Sequence, residues 1–200
     1  MSKLKNVFYS AGAIESATMA EMNGWRDKVD AFFASYPSVA VYNPVKREAQ
    51  KTGRESGEHI KYVIGLKKAG LYERFTYEMD NIWTGLIKPS NFLVDTIKFI
   101  YLRSKIDGNE LRDLDFWADI EAVVRSDGLI TFMPKDVQTV GTIIEMFLAM
   151  LFQIPIYLII DVPKTEANST MLWMVIRSGG GVFYKLNDCL EYVKEKHNIK

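Results

Sequence analysis

Glu145 stands in a stretch that is otherwise apolar: Gly141-Thr142-Ile143-Ile144-Glu145 leads directly into the run Met146 to Met150. Burying a carboxylate without partners is costly. Such a group is either hydrogen-bonded as part of the architecture or put to use. At a helix start it can also simply point outward, where the helix dipole favours it. A second candidate is Tyr9-Ser10-Ala11-Gly12. Small residues after a strand let a ligand approach the backbone closely, although the same residues also make an ordinary strand-to-helix turn. A third is Asp119, with Asp127 eight residues later; an isolated Asp is most often a helix charge or a cap. Lys46, Arg47, Lys51 and Arg54 form a basic quartet that reads as a solvated loop or as an anion site.

Other chemistries lack their residues. The chain has one cysteine, Cys189, and two histidines, His59 and His197. That supply argues against a closed zinc site of nitrogen and sulfur ligands. No metal or cofactor site is visible. A Ser-His-Asp triad would have to use one of the two histidines. His197 lies four residues from the end of the chain, where fraying is expected, and His59 follows a polar run that reads as loop. There is no G-x-G-x-x-G fingerprint and no G-x-x-x-x-G-K-[ST] loop. Glycines 179 to 181 precede an apparent strand and read as a bend. Cys189 falls on the apolar stripe of the last helix and reads as inert packing.

The elements that must position these residues alternate. Asn6 to Tyr9 reads as a first strand, with Ser10 to Ala13 as the loop after it. Thr18 and Glu21 have capping-box spacing, and Met22, Trp25, Val29, Phe32 and Phe33 follow at helical spacing. Val39 to Tyr42 is a second strand, ended by Asn43-Pro44. Residues 45–57 read as a polar loop. Residues 58–104 read as irregularly helical, with Tyr72 to Trp83 as one helix and another opened by Pro89-Ser90. Asp107-Gly108-Asn109 is a turn signal. Leu114, Trp117, Ile120 and Val124 mark a helix that stops at Ser126-Asp127-Gly128. Leu129 to Met133 is a third strand. Gly141 to Phe152 is a helix apolar almost all round, hence predicted to be buried. Ile156 to Ile160 is a strand apolar on both faces, as central parallel strands are. A helix near Met171 to Arg177, the short run Val182 to Tyr184 and a helix from Leu186 complete the chain.

Strands separated by helices predict an α/β fold, a Rossmann-like or flavodoxin-like, mostly parallel sheet flanked by helices. With 200 residues and 48% hydrophobic content, the core suffices for one domain without disulfide or metal staples. That domain is a core of about 1–45 and 106–200 with a helical insertion at about 46–105. In such sheets ligands sit beyond the carboxyl ends of the strands. Residues 9–16, 43–54 and 134–142 fall there. The 25 basic and 25 acidic residues balance, which argues against a polymeric nucleic acid as partner. No signal peptide is visible. The greasiest stretch, Ile143 to Ile160, is broken by Glu145, Gln153 and Pro155 and reads as core, not a membrane span. A single cysteine fits a reducing cytoplasm.

Taken in order, the motifs resemble the nucleoside 2-deoxyribosyltransferase-like superfamily, which includes nucleoside 2′-deoxyribosyltransferases and nucleotide N-glycosidases. The resemblance rests on Tyr9 and Gly12 after the first strand, Asn43-Pro44 after the second, and Asp119. It continues with Ser126-Asp127 before the third strand and Gly141 with Glu145 on the following helix. It covers residues 1–45 and 110–160, roughly half the chain. The resemblance implies cleavage of an N-glycosidic bond. Glu145 would be the nucleophile at the anomeric carbon, Asp119 the proton donor or orienting group near the leaving base, and Tyr9 the hydroxyl that holds Glu145 or the sugar. Ser10, Gly12, Asn43, Thr139, Gly141 and Thr142 would line the substrate.

The residue six before the nucleophile is typically Asp in the transferases and a hydroxyl residue facing the 5′-phosphate in the nucleotide hydrolases. Here it is Thr139, which points to a nucleoside monophosphate. Loop Arg residues of some hydrolases are missing after Gly12; Lys46, Arg47 or Arg54 would have to substitute. The family also implies a homo-oligomer in which Asn168 and Ser169 complete a neighbouring site. A lysine-decarboxylase-like phosphoribohydrolase would share the Gly-Thr-x-x-Glu helix, but its Pro-Gly-Gly run is replaced by Pro134-Lys135-Asp136. A non-catalytic nucleotide sensor, or a structural subunit assembled through the insertion, stand as readings from other classes.

Overall fold

The architecture follows from which strand residues alternate and which run apolar on both sides. In the computed structural model, residues 6–14, 18–55, 57–84, 118–134 and 140–200 are described. In chain order the elements are β1 (Asn6–Gly12), α1 (Met19–Phe33), β2 (Val39–Tyr42), α2 (Pro44–Thr52), α3 (Glu58–Lys68) and α4 (Tyr72–Trp83). These are followed by α5 (Asp119–Arg125), β3 (Gly128–Met133), α6 (Val140–Leu151), β4 (Ile156–Ile160), α7 (Ser169–Arg177), β5 (Gly181–Phe183) and α8 (Leu186–Lys196).

The five strands form one sheet in the order β2-β1-β3-β4-β5, and every pairing is parallel. This is the flavodoxin-like, doubly wound order. Successive strand side chains point to opposite faces, and the core divides accordingly. Val7, Tyr9, Leu129, Ile156, Leu158 and Ile160 pack with α5, α6 and α7 on one face. Phe8, Ile130, Tyr157 and Ile159 pack with Trp25, Val29 and Phe33 of α1 and Cys189, Leu190 and Val193 of α8 on the other. β4 is buried along its whole length, as its doubly apolar sequence requires. Because the chain leaves β1 for one side of the sheet and returns for β3 on the other, a crevice opens between the carboxyl ends of these two strands.

Several local expectations are corrected. β1 runs on through Ser10, Ala11 and Gly12, paired with Ile130, Thr131 and Phe132 of β3; their small side chains fit a fully buried central strand. Residues 45–57 are not a loop up to Thr52: Pro44 opens α2, Asn43 caps it through Lys46 N–H, and Gly53 ends it at φ 66°. Pro at the first helical position and a left-handed Gly after the last are strong boundary signals, hidden here by the polar composition between them. α6 is not buried on all sides, since Val140, Ile144, Phe147 and Leu151 form an exposed stripe along it. His197 is not frayed: its Nε2 lies 2.7 Å from the Tyr157 hydroxyl, and Ile199 beyond it is buried. The Thr18–Glu21 capping box is present in both directions. The helix expected from Pro89, the turn at 107–109 and the start of the helix at Leu114 lie outside the described residues. Among the described residues no helix is long and apolar enough to cross a membrane.

Candidate active site

Tyr9 is fully buried on β1 and faces the α5 and α6 side of the sheet. Its register partner on β2 is Tyr42, and the two rings stack at 5.3 Å with 11° between their planes. That stack leaves the phenol little freedom to swing. Its O–H donates to Glu145 Oε1 at 2.6 Å, the short distance of a charge-assisted bond. Glu145 reaches it from α6, where it is 5% exposed on a helix whose other buried residues, Thr142 apart, are apolar. Asp119, the first residue of α5, is buried beside them and also engages the Tyr9 hydroxyl. Residues far apart in sequence thus meet because β1 is central and α5 and α6 flank it on one face.

Electrostatics set the protonation of this group. Burial, then the charge of Asp119, pushes the Glu145 carboxyl well above the usual carboxylate range, against the Tyr9 hydrogen bond and Arg26. Burial likewise pushes Asp119 up, against Lys51, Tyr9 and Arg26. Two acids that share one desolvated space cannot both ionise cheaply. The pair therefore keeps a proton at pH values where ordinary carboxyls have none. Burial and the two neighbouring carboxylates also raise Tyr9, so the phenol stays protonated.

Arg26 is the residue that sequence reasoning missed. It is fully buried on α1. Its Nε donates to the Ser10 carbonyl at 3.3 Å, Nη1 to Met22 O at 2.5 Å and Nη2 to Gly12 O at 2.9 Å. Its guanidinium lies 4.6 Å from the centre of the Trp25 ring. Burial pulls it down to about 10, while Glu145, Tyr9 and Asp119 hold it up, so it remains a cation under the acid pair. The signal was available: Arg26 follows Met22 by four residues, inside the apolar stripe of α1, where a cation must be paired.

The remaining expected residues have definite places. Gly12 is where Arg26 and Trp25 close on the strand; a Cβ there would come within 2.8 Å of the Trp25 ring and 3.2 Å of the Phe132 carbonyl. Ser10 is fully buried and gives its hydroxyl to the Tyr42 carbonyl at 3.2 Å. Asn43 caps α2 and donates to Asp30 at 3.2 Å. Gly141 sits against Trp83 of α4, whose ring would be 3.1 Å from an added Cβ. Thr142 is buried in the first turn of α6. Asn168 caps α7 through the N–H groups of Thr170 and Met171, and Ser169 opens that helix. Thr139 lies outside the described residues.

Asp127 is at the opposite end of α5 from Asp119. It accepts from Val7 N–H at 2.8 Å, clamping β1 at the amino edge of the sheet, away from the acids. The basic quartet is no free anion site. Lys46 pairs with Asp27 and Asp30 at 2.8 and 2.6 Å, Arg47 donates to Gln50, and Arg54 contacts His59. Lys51 acts on Asp119. A cavity of about 80 Å³ opens at the carboxyl ends of β3 and β4, among Met133, Pro134, Ile160, Ala167, Asn168 and Met171. A larger cleft of about 240 Å³ lies along the edge strand β2, beside Val39, Val41 and Lys46; none of the buried acids lines it. Among the described residues no group of three His, Cys, Asp or Glu side chains is arranged to hold a metal ion. No protein-family model, curated protein or solved structure matches the chain.

Proposed function

We propose that the protein cleaves the N-glycosidic bond of a nucleoside 5′-monophosphate, of ribose or deoxyribose, and releases the free base. The observation that carries this reading is the 2.6 Å bond from Tyr9 to Glu145 in a buried space shared with Asp119. One phenol proton serves two carboxyls. Given to Glu145, it favours the ionised, nucleophilic form, and the proposed reaction requires the proton that the pair retains to sit on Asp119. An ionised carboxylate beside a protonated one is the division of labour that glycosidic cleavage with a covalent intermediate needs.

In the first step a Glu145 oxygen bonds to C1′ as the C1′–N bond breaks. The electron pair goes to the base, which takes the Asp119 proton. In the second step water attacks C1′, the glycosyl ester breaks to regenerate the Glu145 carboxylate, and the water proton returns to Asp119. Arg26 offsets the negative charge of the site from beneath. The start of α6, with Gly141 and Thr142, supplies the helix N-terminus that a 5′-phosphate would favour.

The protein as proposed acts on a small molecule in a reducing compartment, as a self-assembled oligomer. The exposed stripe Val140, Ile144, Phe147 and Leu151, with Trp173 and Ile176 of α7, is the apolar surface that supports self-association. Sedimentation velocity at micromolar concentration tests that part, and a monomer would end it.

The test of the chemistry is product analysis on a panel of nucleosides and their 5′-monophosphates, with and without a second free base. Free base released from a monophosphate, and lost in Glu145→Gln, is the expected result. New nucleoside formed only when the second base is present would make the protein a deoxyribosyltransferase. Binding of a monophosphate without turnover would make it a sensor and end the enzymatic reading.

A further inference from the structure

β1 outlasts its neighbour β2. The two pair from Asn6 opposite Val39 to Tyr9 opposite Tyr42, while β1 and β3 stay paired as far as Gly12 opposite Phe132. Beyond Tyr9, β1 therefore has a strand on one side only. Ser10 and Gly12 are two residues apart, so in a pleated strand their carbonyls leave the same edge. Buried carbonyls need donors.

Arg26 supplies them. Its Nε donates to Ser10 O at 3.3 Å and its Nη2 to Gly12 O at 2.9 Å. The planar guanidinium thus spans the two carbonyls as a neighbouring strand would. Nη1 is tied back to Met22 O of its own helix, and the Trp25 ring lies 4.6 Å from the same group. Where β2 turns away, the Ser10 hydroxyl donates to the Tyr42 carbonyl at 3.2 Å. β1 leaves β2 and meets Arg26 within one residue.

This is a costly way to finish a strand. A completely buried guanidinium gives up its hydration. Two more residues of β2 would offer the same carbonyls neutral N–H groups. Instead β2 stops at Tyr42, and Asn43 caps α2. What the arrangement gains is a strand end held by one rigid fork, with no backbone beside its outer edge, at the carboxyl end of the sheet where ligands bind.

Tyr9 depends on that hold. Its peptide bond runs into Ser10, which carries the first clamped carbonyl, and its hydroxyl lies 2.6 Å from Glu145 Oε1. A bond that short tolerates little displacement of the strand that carries it. We propose that Arg26 is a positioning residue: standing in for β2 along Ser10 and Gly12, it holds the end of β1 so that the Tyr9 phenol stays on Glu145. Its contribution to glycosidic cleavage rests on the function proposed above; the clamp does not. An Arg26 that served stability alone would leave the phenol bond of the folded protein as it is.

The experiment reads the phenol directly, by proton NMR of the full chain. The short-bonded Tyr9 hydroxyl proton should resonate far downfield and be assigned by its loss in Tyr9→Phe. Arg26→Lys keeps the cation but brings its donors to a single nitrogen; Arg26→Met removes both charge and fork. In each, with folding verified by near-UV circular dichroism, the signal should move upfield or vanish. On the nucleotide that the panel identifies, kcat should fall about 10²-fold with KM little changed, the usual size of a misplacement effect. A signal unchanged in folded Arg26→Met overturns the proposal. So does a signal kept in Arg26→Lys, which would make the charge and not the clamp the working feature. The wild type gives a second test that needs no variant to fold. The Arg26 Nε–H should exchange with solvent as slowly as the β1 amides, and exchange at the rate of an exposed arginine overturns the clamp. If the phenol signal is lost in the Arg26 variants while the wild type cleaves no nucleotide, the clamp stands and the glycosidic reading falls.

Discussion

Tyr9→Phe would delete one O–H and keep the ring stacked on Tyr42. Glu145 would then lose the hydrogen bond that favours its ionised form. Its proton affinity should rise, so the acid limb of kcat/KM for the proposed nucleotide cleavage should move to higher pH, and kcat at pH 7 should fall by about 10² to 10³. An unmoved acid limb would mean that Tyr9 does not govern the Glu145 proton. Glu145→Gln should lower kcat by about 10³ or more if it is the nucleophile. Glu145 was legible in the sequence as an acid on a helix at the carboxyl edge of a sheet, and Asp119 only through the resemblance. The bond from Tyr9 to Glu145 matches what the resemblance implied; that Asp119 shares the same phenol was not legible, because periodicity places a residue on a face but gives no distance across it. Arg26 escaped for a related reason. A charged residue inside an amphipathic helix looks solvated until the facing elements are known.

At the level of elements, the close approach of α1 to β1 depends on a missing side chain. Gly12→Ala places a Cβ 2.8 Å from the Trp25 ring and 3.3 Å from the Arg26 guanidinium. Overpacking of this kind costs about 1 to 3 kcal/mol. Urea unfolding should show that loss, and because Arg26 must shift, Glu145 should bind its proton more tightly in the variant. Leu158→Ala in β4, fully buried under α6 and α7, should cost about 2 to 5 kcal/mol by the same measurement without moving any titration. Elements with strong periodicity were readable from the sequence almost to the residue: β2, α4 and β4 begin and end where expected. α2 was not, because its composition is polar throughout and only its end residues mark it. The exposed stripe of α6 was missed because a helix apolar all round gives no clue to which side is left uncovered.

Across the whole molecule, buried groups pull the pH dependence of stability in opposite directions. Asp119, Glu145 and Glu48 all have folded-state proton affinities raised above those of the unfolded chain. Their contribution is intact below pH 4 and is lost as pH rises through the raised values. His59 and His197 are lowered by burial, so their contribution is present above about pH 6.5 and lost as pH falls. Three strongly shifted acids outweigh two moderately shifted histidines. Chemical denaturation should show stability declining from pH 5 to pH 8, and Glu145→Gln should flatten that decline while raising stability at pH 8. A decline unchanged in this variant would remove Glu145 from the account.

The bond between Tyr9 and Glu145 joins residues 136 positions apart. Neither the phenol nor the helix that carries Glu145 can create the other's surroundings, so the acid acquires its unusual proton affinity only once β1 and β3 lie side by side. Until then Glu145 is an ordinary carboxylate in water, hydrated and unreactive. On the proposed function, a nascent or loosened chain therefore has no partial activity to misdirect against the nucleotides around it. Folding itself must draw protons from solution near neutral pH, so a refolding sample in weak buffer should turn measurably more alkaline as the sheet closes.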